Sequence, residues 1–376
     1  MKKKILLITD TLCDANGVSR FIQDIAQIAL KEKKSFKFLT STNKTYCKRL
    51  ENINIFKPII DIKMPYYPDL SIVLPPFIKI YKYIKNYNPT SIHISTPGII
   101  GLFTLIVAKF LKIPIFSTYH TDFAAYIYSN SKSKLFMKIT RAYEKWFYRR
   151  CRRVFLRSDI YKELIENQFK ISKDKISIIP AGIDIDRFNV ENRDYKYFKK
   201  FNIPKNSIKA LYVGRITKEK NIEFLLNVWK RVNKEHLDVW LIMVGSGTLV
   251  KMQDKLLKYN IIFLGHRDSN ELSIIYPSCD FFVFPSNTDT LGQVVIEAMA
   301  NGLPALVSDI GGPKSLVENG ENGFIIKRDN SDEWYRYIHL MIEDSKLKES
   351  SSKNALKNSK ELTINKSFDF FWSMHV

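Results

Sequence analysis

Short apolar runs broken by loops, alternating with stretches whose apolar residues recur every three or four positions, set the pattern of this chain. That is the signature of parallel strands buried on both faces and helices that cover them. In the first half the pattern predicts strands at Lys4 to Asp10, Phe36 to Ser41, Ser91 to Ser95, Ile113 to Thr118 and Val154 to Leu156. Helices are expected at about Ser19 to Ala29, Pro76 to Tyr87, Gly98 to Leu111 and near Ile160 to Gln168. The proline- and aromatic-rich stretch before Pro76, MPYYPDLSIVLPP, reads as a surface loop. After the segment ISIIPAGIDIDRF, read as a hinge, the alternation restarts with strands at Lys209 to Val213, Val239 to Val244, Ile261 to Leu264, Phe281 to Phe284 and Ala305 to Val307. Beyond Asp332 the chain is expected to be helical, and the aromatic ending SFDFFWSMHV to pack back on the first half. With 376 residues, two α/β domains are the expectation: 1–178, joined by residues from about 362 to 376, and 179–361.

The stretch NTDTLGQVVIEAMANGLP places two carboxylates, Asp289 and Glu297, on either side of a turn and a helix start. In an open α/β sheet such a loop faces the crevice at the carboxyl ends of the strands, where ligands bind. The free N–H groups of a helix start suit a phosphate, and a carboxylate further back suits the hydroxyls of a ribose. The alternative is an ordinary capping aspartate and a solvated glutamate. Gly17 opens a helix after the first strand, and Gly245 follows another strand in a Gly-Ser-Gly loop. Arg215 and Lys220 put two cations after a third strand, as a diphosphate requires. His120, just past a strand end, can serve a substrate hydroxyl or be bonded into its own loop. His93, inside a strand pattern, reads as structural. Asp184 and Asp186 form a DxD without an acidic partner nearby, and no metal is expected there.

Composition narrows the setting. The chain carries a net charge of +21, and it is unevenly placed: residues 1 to 180 hold 32 Lys and Arg against 13 Asp and Glu, the remainder 27 against 25. A basic half beside a neutral one points to an anionic surface, lipid or nucleic acid. Residues 132 to 157 hold ten basic residues and one acidic one, with Phe136, Ile139, Tyr143, Trp146 and Phe147 on one helical face. This is the composition of an interfacial anchor, with Lys138, Arg141, Lys145, Trp146, Arg149, Arg150, Arg152 and Arg153 as its membrane-binding residues. A helix that packs its aromatics on the core would show the same pattern. Four scattered cysteines suggest neither a disulfide frame nor a zinc site, MKKKILLITD reads as a first strand rather than a signal peptide, and no apolar run is long enough to span a membrane.

The ordered set VGRITKEKN, VGSGTL, FLGH, YPSCDFFVFPS, TDTLGQVVIEAMANGLP, GGP and ENGF, with NGVSR and STYHTDF before it, resembles the retaining glycosyltransferases of family 4 over essentially the whole chain. The resemblance implies a GT-B fold, two Rossmann-like domains with parallel sheets facing across a cleft, and catalysis without a metal or other cofactor. It implies donor contacts from Gly17, Arg215, Lys220, Gly245, Asp289, Thr290, Leu291, Gly292 and Glu297, with His120 and Asp289 at the reacting centre. Asp289 stands where the family pattern has a glutamate, and Ser315 replaces an acidic residue after the double glycine. The form with Asp289 resembles a subgroup of GDP-mannose-dependent mannosyltransferases and glycolipid glycosyltransferases. The expected reaction is hexose transfer from GDP-mannose or a UDP-hexose to a membrane lipid, lipid-linked or cell-envelope glycan. The expected location is the cytoplasm, peripheral to the inner face of the cell membrane. Alternatives are a soluble glycan or small-molecule acceptor and, from another class, a basic nucleic-acid-binding protein. The last lacks any helix-turn-helix, RNP-like or zinc-finger pattern, and no nucleic-acid partner is expected.

Overall fold

The computed structural model describes residues 2–14, 16–44, 50–64 and 67–375. The chain forms two units, Met1–Pro180 with Ile364–Val376, and Ala181–Thr363.

The first unit runs β1 (Ile5–Ile8), α1 (Gly17–Lys31), β2 (Phe36–Ser41), β3 (Ile53–Phe56), β4 (Ile60–Met64), β5 (Tyr67–Leu74), α2 (Phe77–Tyr87) and β6 (Ser91–Ile94). It continues with α3 (Ile99–Phe110), β7 (Ile115–Tyr119), α4 (Phe123–Ser131), α5 (Lys134–Tyr148), β8 (Arg153–Leu156) and β9 (Ile176–Ile178). Seven of these strands form a parallel sheet in the order β3-β2-β1-β6-β7-β8-β9. Its central strands β1 and β6 are buried from end to end, which is why ILLI and SIHI carry no charge.

The second unit runs β10 (Ile208–Val213), α6 (Ile222–Glu235), β11 (Val239–Val244), α7 (Gln253–Leu256), β12 (Ile261–Gly265), α8 (Ser269–Ile275) and β13 (Phe281–Phe284). Then come α9 (Gln293–Ala300), β14 (Ala305–Ser308), β15 (Gly323–Ile326), α10 (Ser331–Glu343) and α11 (Ser345–Ser359). Its six parallel strands are ordered β12-β11-β10-β13-β14-β15. One core gathers FFVF of β13, Trp229 of α6 and Trp334 of α10.

The chain then returns to the first unit as α12 (Ile364–Met374). Phe371 stacks on Phe36 and meets Phe21 edge-on, while Ile364 and Phe368 join the same core. Two histidines lock the end of this helix. His93 Nδ1 lies 2.9 Å from His375 Nε2, and His93 Nε2 lies 3.0 Å from the Thr118 hydroxyl. Burial holds both imidazoles far to the neutral side, so His93 is structural.

The structure corrects the pattern in three places. Residues 60–74, expected as a loop, are an antiparallel ribbon of β4 and β5. The supposed hinge begins with β9, an edge strand of the first sheet. Cys13 is disulfide-bonded, whereas Cys151 and Cys279 are free; Cys47 lies outside the described residues.

Candidate functional site

In the second unit the candidate loop runs from the end of β13 to the start of α9. Gly292 caps α9 in the left-handed region, φ 84°, a conformation that strongly favours glycine. No side chain caps this helix, which disposes of Asp289 as its cap. Instead Asp289 Oδ2 accepts a 2.7 Å bond from Lys220 Nζ, and Lys220 also reaches the Thr288 hydroxyl at 3.4 Å. Burial works to raise the Asp289 carboxyl, but the Lys220 charge and hydrogen bond, with a bond from Ser286, outweigh it and hold it below the ordinary range. Lys220 is itself buried, at the end of the turn that leads into α6. Arg215 lies in the same loop, 3.2 Å from Glu219, with its carbonyl accepting from Tyr212 Oη at 2.8 Å.

Thr290, Leu291 and Gly292 are buried behind Asp289, and the double-glycine segment explains how. The Gly312 N–H donates to the Asp289 carbonyl at 2.7 Å, and any Cβ at Gly312 would fall 2.0 Å from the Thr290 carbonyl. GGP is therefore a backing plate for the loop, and Ser315, whose hydroxyl donates to the Gly312 carbonyl, steadies it. Gly245 ends β11 at φ 143°, its α-carbon so close to the Gly214 carbonyl that no side chain fits. Glu297 is completely buried, contrary to a solvated helix residue, and its Oε2 accepts from the Tyr276 hydroxyl at 2.9 Å. Tyr276, from the turn after α8, is a partner that no sequence pattern announced. Asp184 is paired with Arg187 at 2.9 Å and serves as a turn residue.

In the first unit, polar groups gather at the carboxyl ends of β1, β6, β7 and β8. Asp10 accepts from Thr96 Oγ1 at 2.9 Å and the Ile100 N–H at 3.3 Å, yet burial outweighs these bonds and pushes its carboxyl up to about 6. His120 is buried, and burial, with the charge of Arg157 second, lowers its imidazole to about 3, so it is neutral at physiological pH. Gly17 is the first residue of α1, whose N-cap Asn16 accepts from the Ser19 N–H. Asp122 caps α4 and binds Arg141 at 2.8 Å. Arg141 also bonds Glu144 and Tyr119. Glu144 has no exposed side-chain surface, and burial raises it to about 8 against the pull of Arg141. Asp10, Tyr119, Glu144 and Arg157 were not foreseen. Only Asp10 carried a sequence signal, its place one step beyond the first strand.

The anchor face divides in two. Leu135, Phe136 and Ile139 point outward at 65%, 57% and 57% exposure, whereas Phe147 and Tyr148 at the other end of α5 are core residues. Lys138, Arg149, Arg150 and Arg152 are exposed, and Lys145, Trp146, Arg149 and Arg150 line one surface recess, with Arg150 stacked 4.1 Å over Trp146. Arg141 and Arg153 do not belong to this set: the first holds Asp122 and Glu144, and the second bonds the Ser177 hydroxyl across the β8–β9 pair. Ile78 on α2 and Ile106 and Phe110 on α3 are further exposed apolar residues of this unit. No helix among the described residues is long and apolar enough to cross a membrane.

Comparison with known proteins covers both units. The model for glycosyltransferase family 4 matches residues 15–187, and that for glycosyl transferases group 1 matches residues 194–358. The sulfoquinovosyl transferase SQD2 of Arabidopsis thaliana is 27% identical over 303 residues, 79% of this chain and 58% of that protein. The alpha-monoglucosyldiacylglycerol synthase of Streptococcus pneumoniae is 27% identical over 319 residues, 81% of this chain and 70% of that enzyme. The chain thus spans less than two thirds of the first relative and somewhat more of the second. Among solved structures, Anabaena HepE in complex with UDP superposes with a TM-score of 0.76 at 19% identity, covering 98% of each chain. That likeness shows the fold, GT-B with two Rossmann-like domains.

Proposed function

We propose, from the premise that the chain belongs to the group 1 and family 4 glycosyltransferases, that it moves a hexose from a nucleotide sugar to a lipid or lipid-linked glycan at a membrane surface. The observation that carries this reading is the second unit's loop: the Lys220–Asp289 pair at 2.7 Å, beside Arg215 and ahead of an uncapped helix start. An uncapped helix start with two cations near it is a receptor for a diphosphate. Glu297 takes the ribose, and Asp289, kept ionised, takes sugar hydroxyls. The donor is GDP-mannose or a UDP-hexose, as the resemblance of the Asp289 form implies.

The leaving diphosphate is neutralised by Arg215, Lys220 and the α9 N-terminus, so that the transition-state charge is met by fixed protein groups and no metal is required. Transfer then proceeds on the face from which the diphosphate departs, with retention of configuration. His120, neutral, hydrogen-bonds a hydroxyl without adding charge. The lipid acceptor is favoured by the relatives' names, a monoglucosyldiacylglycerol synthase among them, and by the outward apolar and cationic face of α5. Each cation near an anionic surface contributes about 1 kcal/mol, so the exposed Arg149, Arg150 and Arg152 suffice to bias the protein toward it.

The test supplies a panel of UDP- and GDP-hexoses with a membrane lipid extract, in EDTA and in Mg²⁺. A retained α-linked glycolipid formed equally in both is the expected result. An inverted product, or dependence on Mg²⁺, rules the mechanism out. Glutamine at Arg149, Arg150 and Arg152 should lower sedimentation with anionic vesicles and leave nucleotide binding intact; wild-type sedimentation would favour a soluble acceptor.

A further inference from the structure

Arg157 follows directly on β8 and is only 5% exposed. Its guanidinium lies 4.0 Å over the ring of Phe21, on α1. Among the described residues its Nη1 has no hydrogen-bond partner, and none of them forms an ion pair with it. The other interior cations are treated differently. Arg141 has Asp122 and Glu144, Lys220 has Asp289, and Lys209 donates to the carbonyls of Lys205 and Ser207. A charge removed from water without a counter-ion is strongly unfavourable, and an aromatic face returns only a small part of the loss. The deficit shows in the guanidinium itself, which burial alone lowers to about 10. A side chain kept in this state needs a partner that the described residues do not provide.

Its position says what the partner is. β7 and β8 pair in register with Tyr119 opposite Leu156, so His120 and Arg157, the next residue of each, stand side by side where the two strands end. This is the edge of a parallel sheet at which ligands bind. The forked guanidinium donors match two oxygens of a tetrahedral oxyanion, and the neutral imidazole alongside brings no competing charge. The surrounding half of the chain, with 32 basic against 13 acidic residues up to position 180, draws such a group in. The cations proposed for the donor diphosphate, Arg215 and Lys220, belong to the second unit, so the donor already has its own counter-charges.

We propose that Arg157, with His120 beside it, receives a phosphate-type oxyanion carried by the acceptor. The word acceptor rests on the transferase reading; the oxyanion site does not.

The experiment uses the full chain and four soluble probes: inorganic phosphate, glycerol 3-phosphate, glycerol, and UDP or GDP. Wild type should be stabilised by phosphate and glycerol 3-phosphate but not by glycerol, and R157Q should lose affinity for both anions about thirtyfold. Lysine at this position should recover part of it. UDP and GDP should bind R157Q and wild type equally. In transfer to a lipid extract, R157Q should raise the acceptor KM and leave the donor KM unchanged. R157M should melt about 3 °C higher than wild type, because the uncompensated charge is gone. A wild type indifferent to both anions overturns the site, as does an R157M that melts lower, since Arg157 would then be structural. Equal loss of nucleotide diphosphate and phosphate binding assigns the anion to the donor and overturns the acceptor assignment. Loss of anion binding in R157Q, in a protein that transfers no sugar to any acceptor, upholds the site and counts against the transferase reading alone.

Discussion

The loop after β13 and the strand ends of the first unit treat buried charge differently. In the second unit, each buried or half-buried group of the loop has its opposite at hand: Lys220 with Asp289, Arg215 with Glu219. Asp289 is accordingly held below its ordinary value. In the first unit, Asp10 is driven upward and Arg157 downward, and Glu144 rises even with Arg141 at 3.2 Å, burial being the largest cause each time. A site whose charges are already balanced is pre-organised, and a ligand enters it by exchanging partners. A site whose charges are unbalanced gains its compensation from the ligand, and such a region trades stability for binding.

The sharpest way to break this comparison is Lys220→Ala. It strands Asp289 as a partly buried, unpaired carboxylate and should cost the second unit about 3 kcal/mol in chemical denaturation. The double replacement of Lys220 and Asp289 should cost less than Lys220→Ala alone. Additive losses would mean that the pair is not coupled. Next in size is Glu297→Ala, expected to weaken nucleotide-sugar binding roughly thirtyfold by titration calorimetry, with Tyr276→Phe losing less. Unchanged affinity would make Glu297 a packing residue only.

The smallest effect concerns the first unit and pH. The Glu144 carboxyl titrates near 8 in the folded protein against 4.5 ordinarily. Between those values the folded state holds a proton that the unfolded chain has released, so stability is fully present below 4.5 and declines as pH rises through 8. Asp10, raised to about 6, adds the same sign in the more acidic part of the window. Glutamine at 144 keeps the shape and the acceptor oxygen, and its melting temperature should exceed that of wild type increasingly from pH 6 to 8. A parallel pH profile for the two proteins would show that Arg141 keeps Glu144 ionised.

What the sequence disclosed follows the same division. Buried parallel strands write themselves as uninterrupted apolar runs, so FKFLTS and FFVFPS were legible almost to the residue. The second unit's loop was legible because its geometry rests on residues that stand out in sequence order: a glycine at a positive φ, two carboxylates eight positions apart, a cation after a strand. The ribbon of β4 and β5 was not, because an exposed two-stranded pair demands neither burial nor strict alternation. Nor were Tyr276 or the Arg141 network, which depend on contacts between distant elements. Arg157 was read as one basic residue in a run of ten. Its burial and the register of β7 with β8 separate it from the exposed Arg149, Arg150 and Arg152 before it.

Helix α12 bears on the order in which the protein can come into being. The core of the first unit draws Ile364, Phe368 and Phe371 from beyond the second unit, and the His93–His375 contact closes it. On the ribosome the first half emerges first, but it holds an open groove beside Phe21 and Phe36 until the whole second unit has been synthesised. The second unit, continuous from Ala181 to Thr363, is free to fold as soon as it leaves the tunnel. The half made first is thus the half finished last, and Phe21, on which Arg157 rests, gains its Phe371 neighbour only at that final step.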